Sequence, residues 1–159
     1  MDIKEKIPLI FGVPGDSFFD SFTAKKVFVA ELRPGLEGAK GVSEKFLKKG
    51  VEPVVICDNM LGFCMKRGLV QDVHIFYSAL GEKTVLCRTG SLIAALCAKM
   101  HGLTTYLYPS RPISKRSASL LKIGGLKVTS GAIKTYVPAL EEVPLELIKV
   151  RVLGSGNEK

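Results

Sequence analysis

Apolar residues fall in this chain as short unbroken runs alternating with stripes at helical spacing. Val27-Phe28-Val29-Ala30 is such a run, rich in β-branched residues, and predicts a strand covered on both faces. Pro34 stops it, because proline has no N–H for a ladder and biases Arg33 away from helix. Leu36, Ala39, Val42 and Phe46 then recur at spacings of three and four and predict one amphipathic helix, closed by Lys48-Lys49-Gly50. The pattern repeats on both sides. Ile7 to Gly12 reads as a first strand, Val13 to Ser17 as a turn and Phe18 to Phe22 as a brief helix. Pro53 to Cys57 is a second continuous apolar strand, after which Asp58 and Asn59 suit the cap of a helix running to about Arg67. Val73 to Ala79 reads as a third strand, Leu80 to Lys83 as a turn and Thr84 to Cys87 as a short strand. Leu92, Ile93, Leu96, Cys97 and Met100 mark a helix ended by Lys99, His101 and Gly102, and Thr104 to Tyr108 is a further strand. Ser110 to Leu121 is polar and reads as a mobile loop. The remainder, including EEVPLELIKVRV, carries no clear period. Four βα alternations in about 100 residues predict an α/β fold: a Rossmann-like, mostly parallel sheet with helices on both faces.

The chain has 159 residues, enough for a single domain with one large core; residues 7–156 form it, with tails at 1–6 and 157–159. At 47% apolar and 24% charged it is not a disordered sequence. No apolar run reaches the roughly 18 residues of a membrane span, and the N-terminus lacks the pattern of a signal peptide. Cys57, Cys64, Cys87 and Cys97 show no metal-ligand spacing and read as reduced, mostly buried thiols of a cytoplasmic protein, with Cys57 pointing into the sheet. The formal charge of +8 is dispersed as pairs such as Lys25-Lys26 and Lys115-Arg116 without interleaved aromatics. That disfavours nucleic acid and leaves a solvated lysine surface or an anionic small ligand.

Candidate chemistry is sparse. GxxxxGK[ST], GxGxxG after a strand, HExxH and GxSxG are all missing, so no cofactor is implied. Both histidines have structural readings, His74 inside a strand and His101 at a helix end. Two turns could hold an anion. Arg88-Thr89-Gly90-Ser91 offers a guanidinium, hydroxyls and amides at a helix start, or else is a turn glycine before a serine cap. Gly12 to Ser17, with Gly15, Asp16 and Ser17, has the same two readings. Glu31, Arg33, Glu37 and Asp58 lie at predicted carboxyl ends of strands, where ligands of open α/β sheets bind; Asp58 reads equally as a base or as a helix cap. Phe11, Phe18, Phe19 and Phe22 crowd near the start and predict exposed apolar surface, hence a homodimer or larger assembly.

The run KKVFVAELRPGLEGAKGVSEKFLKKGVEPVVICDNMLGFCMKRGLVQDVHIFY, then CRTGSLIAALCAKMHGLTTYLYP and EEVPLELIKVRVLGSG, resembles the C-terminal domain of the translation initiation factor 2B-like family. That family includes regulatory factor subunits, methylthioribose-1-phosphate isomerase and ribose-1,5-bisphosphate isomerase. The resemblance implies a Rossmann-like domain, often dimerised through this half. It also implies an N-terminal helical domain with phosphate-binding arginines and a catalytic cysteine, a region these residues do not match. The catalytic Asp of the family isomerases corresponds to Tyr77, their Asn-Lys to Cys87-Arg88, and their Arg-Pro-x-x-Gln-Gly to Arg33 through Gly38 with Glu37 for Gln. The expected function is a non-catalytic sugar-phosphate- or nucleotide-binding module for regulation or assembly. Arg33, Arg88 and Thr89-Gly90-Ser91 would hold phosphate, and Glu37, Asp58 and Asn59 would meet the sugar. Two alternatives stay open: an aldose–ketose isomerase rebuilt around Asp58, Asp16 or Cys87, and a structural partner of a chain supplying the N-terminal half.

Overall fold

A computed structural model describes residues 5–112, 122–123 and 125–151. The apolar runs become strands β1 (Ile7–Phe11), β2 (Lys26–Ala30), β3 (Glu52–Ile56), β4 (Val70–Leu80) and β6 (Thr105–Pro109). They pair in parallel in the order β3-β2-β1-β4-β6. This is the doubly wound order, in which the chain leaves β1 in one direction and β4 in the other, opening a crevice at their carboxyl ends. The short β10 (Val150–Arg151) adds a parallel strand beyond β6. β5 (Thr84–Arg88) runs antiparallel to the far half of β4, and β9 (Leu140–Pro144) runs antiparallel to β5. A two-residue hairpin, β7 (Lys122–Ile123) and β8 (Leu126–Lys127), stands apart from the sheet.

Alternation along each strand sends side chains to two cores. Leu9, Phe11, Phe28, Ala30, Val73, Ile75 and Leu107 pack under α3 (Leu61–Lys66) and α4 (Ser91–Met100). Ile10, Val27, Val29 and Phe76 pack under α1 (Asp16–Ser21) and α2 (Ser43–Lys48). α4 lies close to the sheet because Ala94, Ala95 and Ala98 form its inner stripe, all fully buried.

Several expectations are corrected. Phe11, Phe18 and Phe19 are core residues and Phe22 is half-buried: Phe18 sits edge-on to Phe76 at 5.0 Å and to Tyr108 at 4.8 Å, so the phenylalanines do not form apolar surface. Exposed apolar side chains include Phe63 (58%) on α3 and Ile93, Leu96 and Met100 (82%) on α4, with others elsewhere such as Leu47 and Tyr136. β3 is an edge strand whose Val55 is exposed, and Cys57 is exposed rather than turned into the sheet. The helix expected from Leu36 begins later, with a π turn at Gly38–Val42 that passes into α2. His74 is only half satisfied: its Nε2 lies 2.7 Å from Asp72 Oδ1, while its buried Nδ1 has no partner among the described residues. Most of the 110–121 loop lies outside the described residues. No helix among them is long and apolar enough to cross a membrane.

Candidate functional site

The corner after β2 is tightly built. Leu32 is buried at φ +60° and Leu36 has φ +61°, a left-handed conformation that costs an L residue about 1 kcal/mol or more. Asp58 holds the first of these in place. The backbone N–H of Leu32 donates to Asp58 Oδ1 at 2.9 Å and that of Arg33 donates to Oδ2 at 2.7 Å. The Asp58 side chain therefore does not cap the helix that follows it; it ties the end of β3 to the end of β2. Gly38 then passes directly over β2: a Cβ there would lie 1.8 Å from the carbonyl oxygen of Ala30.

The charged groups of this corner are paired. Arg33 Nε donates to Glu31 Oε1 at 2.7 Å. Arg88, at the end of β5 with only 14% of its side chain exposed, donates through Nη2 to Glu37 Oε2 at 2.7 Å. Strand pairing sets Cys87 opposite Tyr77. Burial, and secondarily the charge of Glu141, pushes the Cys87 thiol up to about 12. It is neutral at physiological pH and unsuited to nucleophilic or proton-transfer work.

The turn at Thr89-Gly90-Ser91 already holds a carboxylate. Glu141 Oε1, carried by β9, accepts from the N–H of Gly90 at 2.7 Å and of Leu92 at 2.8 Å, taking amides that would otherwise face an anion. Thr89 is spoken for as well: its Oγ1 donates to the Pro138 carbonyl at 2.8 Å and its N–H to that of Ala139 at 3.1 Å. Ser91 is not the helix cap. Gly90 takes that position at φ +103°, pressed against the ring of Phe11, and the Ser91 hydroxyl is buried without a partner among the described residues.

Open space lies on the other side of Glu37. A cavity of about 360 Å³ sits beyond the carboxyl ends of β1, β2 and β6, lined by Val13, Pro14, Phe19, Leu36 and Val42, with Glu37 at its edge. Lys40, Lys45 and Arg111 also line it. Asp16 joins the last two: Lys45 Nζ and Arg111 Nη2 both donate to its Oδ1. Those hydrogen bonds, from Lys45 first and then Arg111, hold the Asp16 carboxyl below its usual range. Gly15 is engaged through its N–H with the Pro109 carbonyl at 3.4 Å, and Ser17 and Asn59 are exposed. Lys40, Lys45 and Arg111 are the residues sequence reasoning missed, because two looked like a solvated helix face and the third like a loop.

A thiol titration checks the cysteine environments. Cys57 should react quickly with a disulfide reagent at pH 8, while buried Cys64 and Cys87 react only after unfolding. Because the folded pKa of Cys87 lies above the ordinary thiol value of 9.0, its contribution to stability is complete below pH 9 and is lost as pH rises toward about 12. A Cys87→Ala variant should flatten that alkaline loss.

Doubly wound topology, with a crevice at the switch of strand direction, defines a domain of Rossmann type. The model of the Initiation factor 2 subunit family matches residues 17–156, and the chain belongs to that family. It is 29% identical over 153 residues to the methylthioribose-1-phosphate isomerase of Carboxydothermus hydrogenoformans, covering 87% of this chain and 45% of that protein. In fold it is similar to the 5-methylthioribose 1-phosphate isomerase of Pyrococcus horikoshii OT3 (TM-score 0.77, 18% identity, 91% of this chain and 48% of that one). It is equally similar to translation initiation factor eIF-2B, subunit delta, from A. fulgidus (TM-score 0.76, 18% identity, 93% and 51%). The chain spans about half the length of these relatives.

Proposed function

We propose that this chain is a non-catalytic member of its family that binds a phosphorylated small molecule, a sugar phosphate or a nucleotide, and serves regulation or assembly. One observation carries the reading: the acids at the carboxyl ends of the strands are tied up while the space beside them is open and cationic. An aldose–ketose isomerase needs an acid and a base poised across C1 and C2 of its sugar. Here Asp58 is held by two backbone amides, Glu37 by Arg88 and Glu31 by Arg33, and Cys87 is a buried neutral thiol. The cavity is within the usual size of a small-molecule site.

The isomerase alternative draws support from the relatives named for that activity, and one experiment separates the two. Incubation with methylthioribose-1-phosphate or ribose-1,5-bisphosphate should yield no ketose, while a bound phosphorylated ligand at 100 times its Kd raises stability by about 2.7 kcal/mol. Ketose formation that Asp58→Asn abolishes would establish the isomerase instead. A solved relative is named as a subunit, which supports assembly as part of the role. The exposed side chains of α3 and α4 suit such a contact. Light scattering should give a dimer or larger species that Phe63→Lys with Leu96→Glu converts to monomer; a monomer mass at all concentrations refutes it.

A further inference from the structure

Resting on the reading that the cavity takes a phosphorylated ligand, we propose where its phosphoryl group goes. It sits between Lys45 and Arg111, with Lys40 as a third donor, in the position that the carboxylate of Asp16 now fills. Asp16 is thereby a built-in competitor of the ligand.

The geometry separates the cations from the anion they hold. Lys45 and Arg111 come from distant parts of the chain, one in α2 and one just after β6, yet both donate to a single oxygen of Asp16. The Lys45 ammonium and the Arg111 backbone each have a further partner. Lys45 Nζ stands 5.2 Å from the centre of the Phe19 ring, a cation–π arrangement. The backbone N–H of Arg111 donates to the Val13 carbonyl at 3.2 Å, and the neighbouring Ser110 bridges Pro14. Asp16 is the exposed partner: its side chain is 73% exposed, against 33% for Lys45 and 42% for Arg111. Rotation about its own χ1 carries it into water and leaves two cations on the cavity wall.

A carboxylate shared by two cations is a small model of the anion the place accepts. A phosphate monoester brings more charge and three terminal oxygens, enough to receive Lys45, Arg111 and Lys40 together, with the guanidinium supplying a fork. The rest of the ligand then lies against Val13, Pro14, Leu36 and Val42, with Glu37 in reach of a hydroxyl. The class is a small phosphomonoester with one apolar face. The Arg88 to Ser91 turn is less free: Glu37, on Arg88, is 43% exposed against 73% for Asp16, and Glu141 is held by two backbone amides.

The test titrates inorganic phosphate and ribose 5-phosphate into the full chain at constant ionic strength, followed by ³¹P line width and by Tm. Wild type is compared with Asp16→Asn, Lys45→Ala, Arg111→Ala and, as a distant charge control, Lys99→Ala. Asp16→Asn should bind more tightly, by about three- to tenfold. Lys45→Ala and Arg111→Ala should each lose about tenfold or more, with an unchanged circular dichroism spectrum. Lys99→Ala should match wild type. Binding that survives both cation variants would place the phosphoryl group elsewhere and overturn the inference while the ligand-binding reading stands. Weaker binding by Asp16→Asn would make Asp16 a ligand contact and overturn its role as competitor. If neither wild type nor Asp16→Asn takes up either probe, both readings fall.

Discussion

Gly38→Ala should destabilise the domain by about 3 kcal/mol or more, the upper range for overpacking a site that cannot yield. The added Cβ would meet the Ala30 carbonyl oxygen at 1.8 Å and the Leu32 side chain at 3.1 Å. The nearer obstacle is backbone in a buried central strand, so no rotamer change relieves it. The Gly38 carbonyl also accepts from the buried Ser43 hydroxyl at 2.7 Å, so moving the glycine aside breaks the entry to α2. Gly41 provides the internal control. It lies in the same π turn, a Cβ there would meet nothing within 4 Å, and Gly41→Ala should be neutral or gain up to about 1 kcal/mol from helix propensity. Denaturant unfolding of the two variants measures the contrast; equal midpoints would mean that the corner after β2 is not packed as described.

The second large effect is expected at Asp58. Asp58→Ala leaves the N–H groups of Leu32 and Arg33 without their acceptor and frees a left-handed residue to relax. The loss should be about 2–4 kcal/mol. Asp58→Asn keeps one carbonyl oxygen, enough for one of the two amides, and should fall between. Hydrogen exchange at Leu32 and Arg33 should speed up in both variants, more so in the alanine. A change below ~0.5 kcal/mol in Asp58→Ala, the range of ordinary surface substitutions, would show that the carboxylate does not hold the corner and return it to consideration as a free base.

Much of the fold was legible because β1, β2 and the Val73–Phe76 stretch of β4 are covered on both faces, and such strands announce themselves as unbroken apolar runs. The same rule misled at β3, where Pro53-Val54-Val55 reads as interior and stands at the sheet edge. The stripe Leu36, Ala39, Val42, Phe46 has helical spacing, yet Leu36 belongs to a left-handed corner and the next turn is π. Nothing in the spacing distinguishes those backbones. β9 was hidden by composition: LEEVP carries two acids and a proline, and becomes a strand only because β5 offers it an edge. The site was half legible. Arg33, Glu37 and Asp58 were read at the carboxyl ends of strands and Arg88 at a helix start, but their partners were not. Arg88 meets Glu37, and Gly90 meets Glu141, each across 51 residues of sequence. No local pattern encodes such a pairing.

Glu141 also makes the finished rim of the sheet depend on a late stretch of the chain. By residue 109 a nascent chain has delivered all five central parallel strands and both inner helix faces. Yet β5 still shows an open edge, and the first amides of α4 have no acceptor but water. One strand, residues 140–144, supplies both the missing ladder and the missing carboxylate. The rim of the sheet is thus completed from late in the chain, with β10 the only strand after it among the described residues.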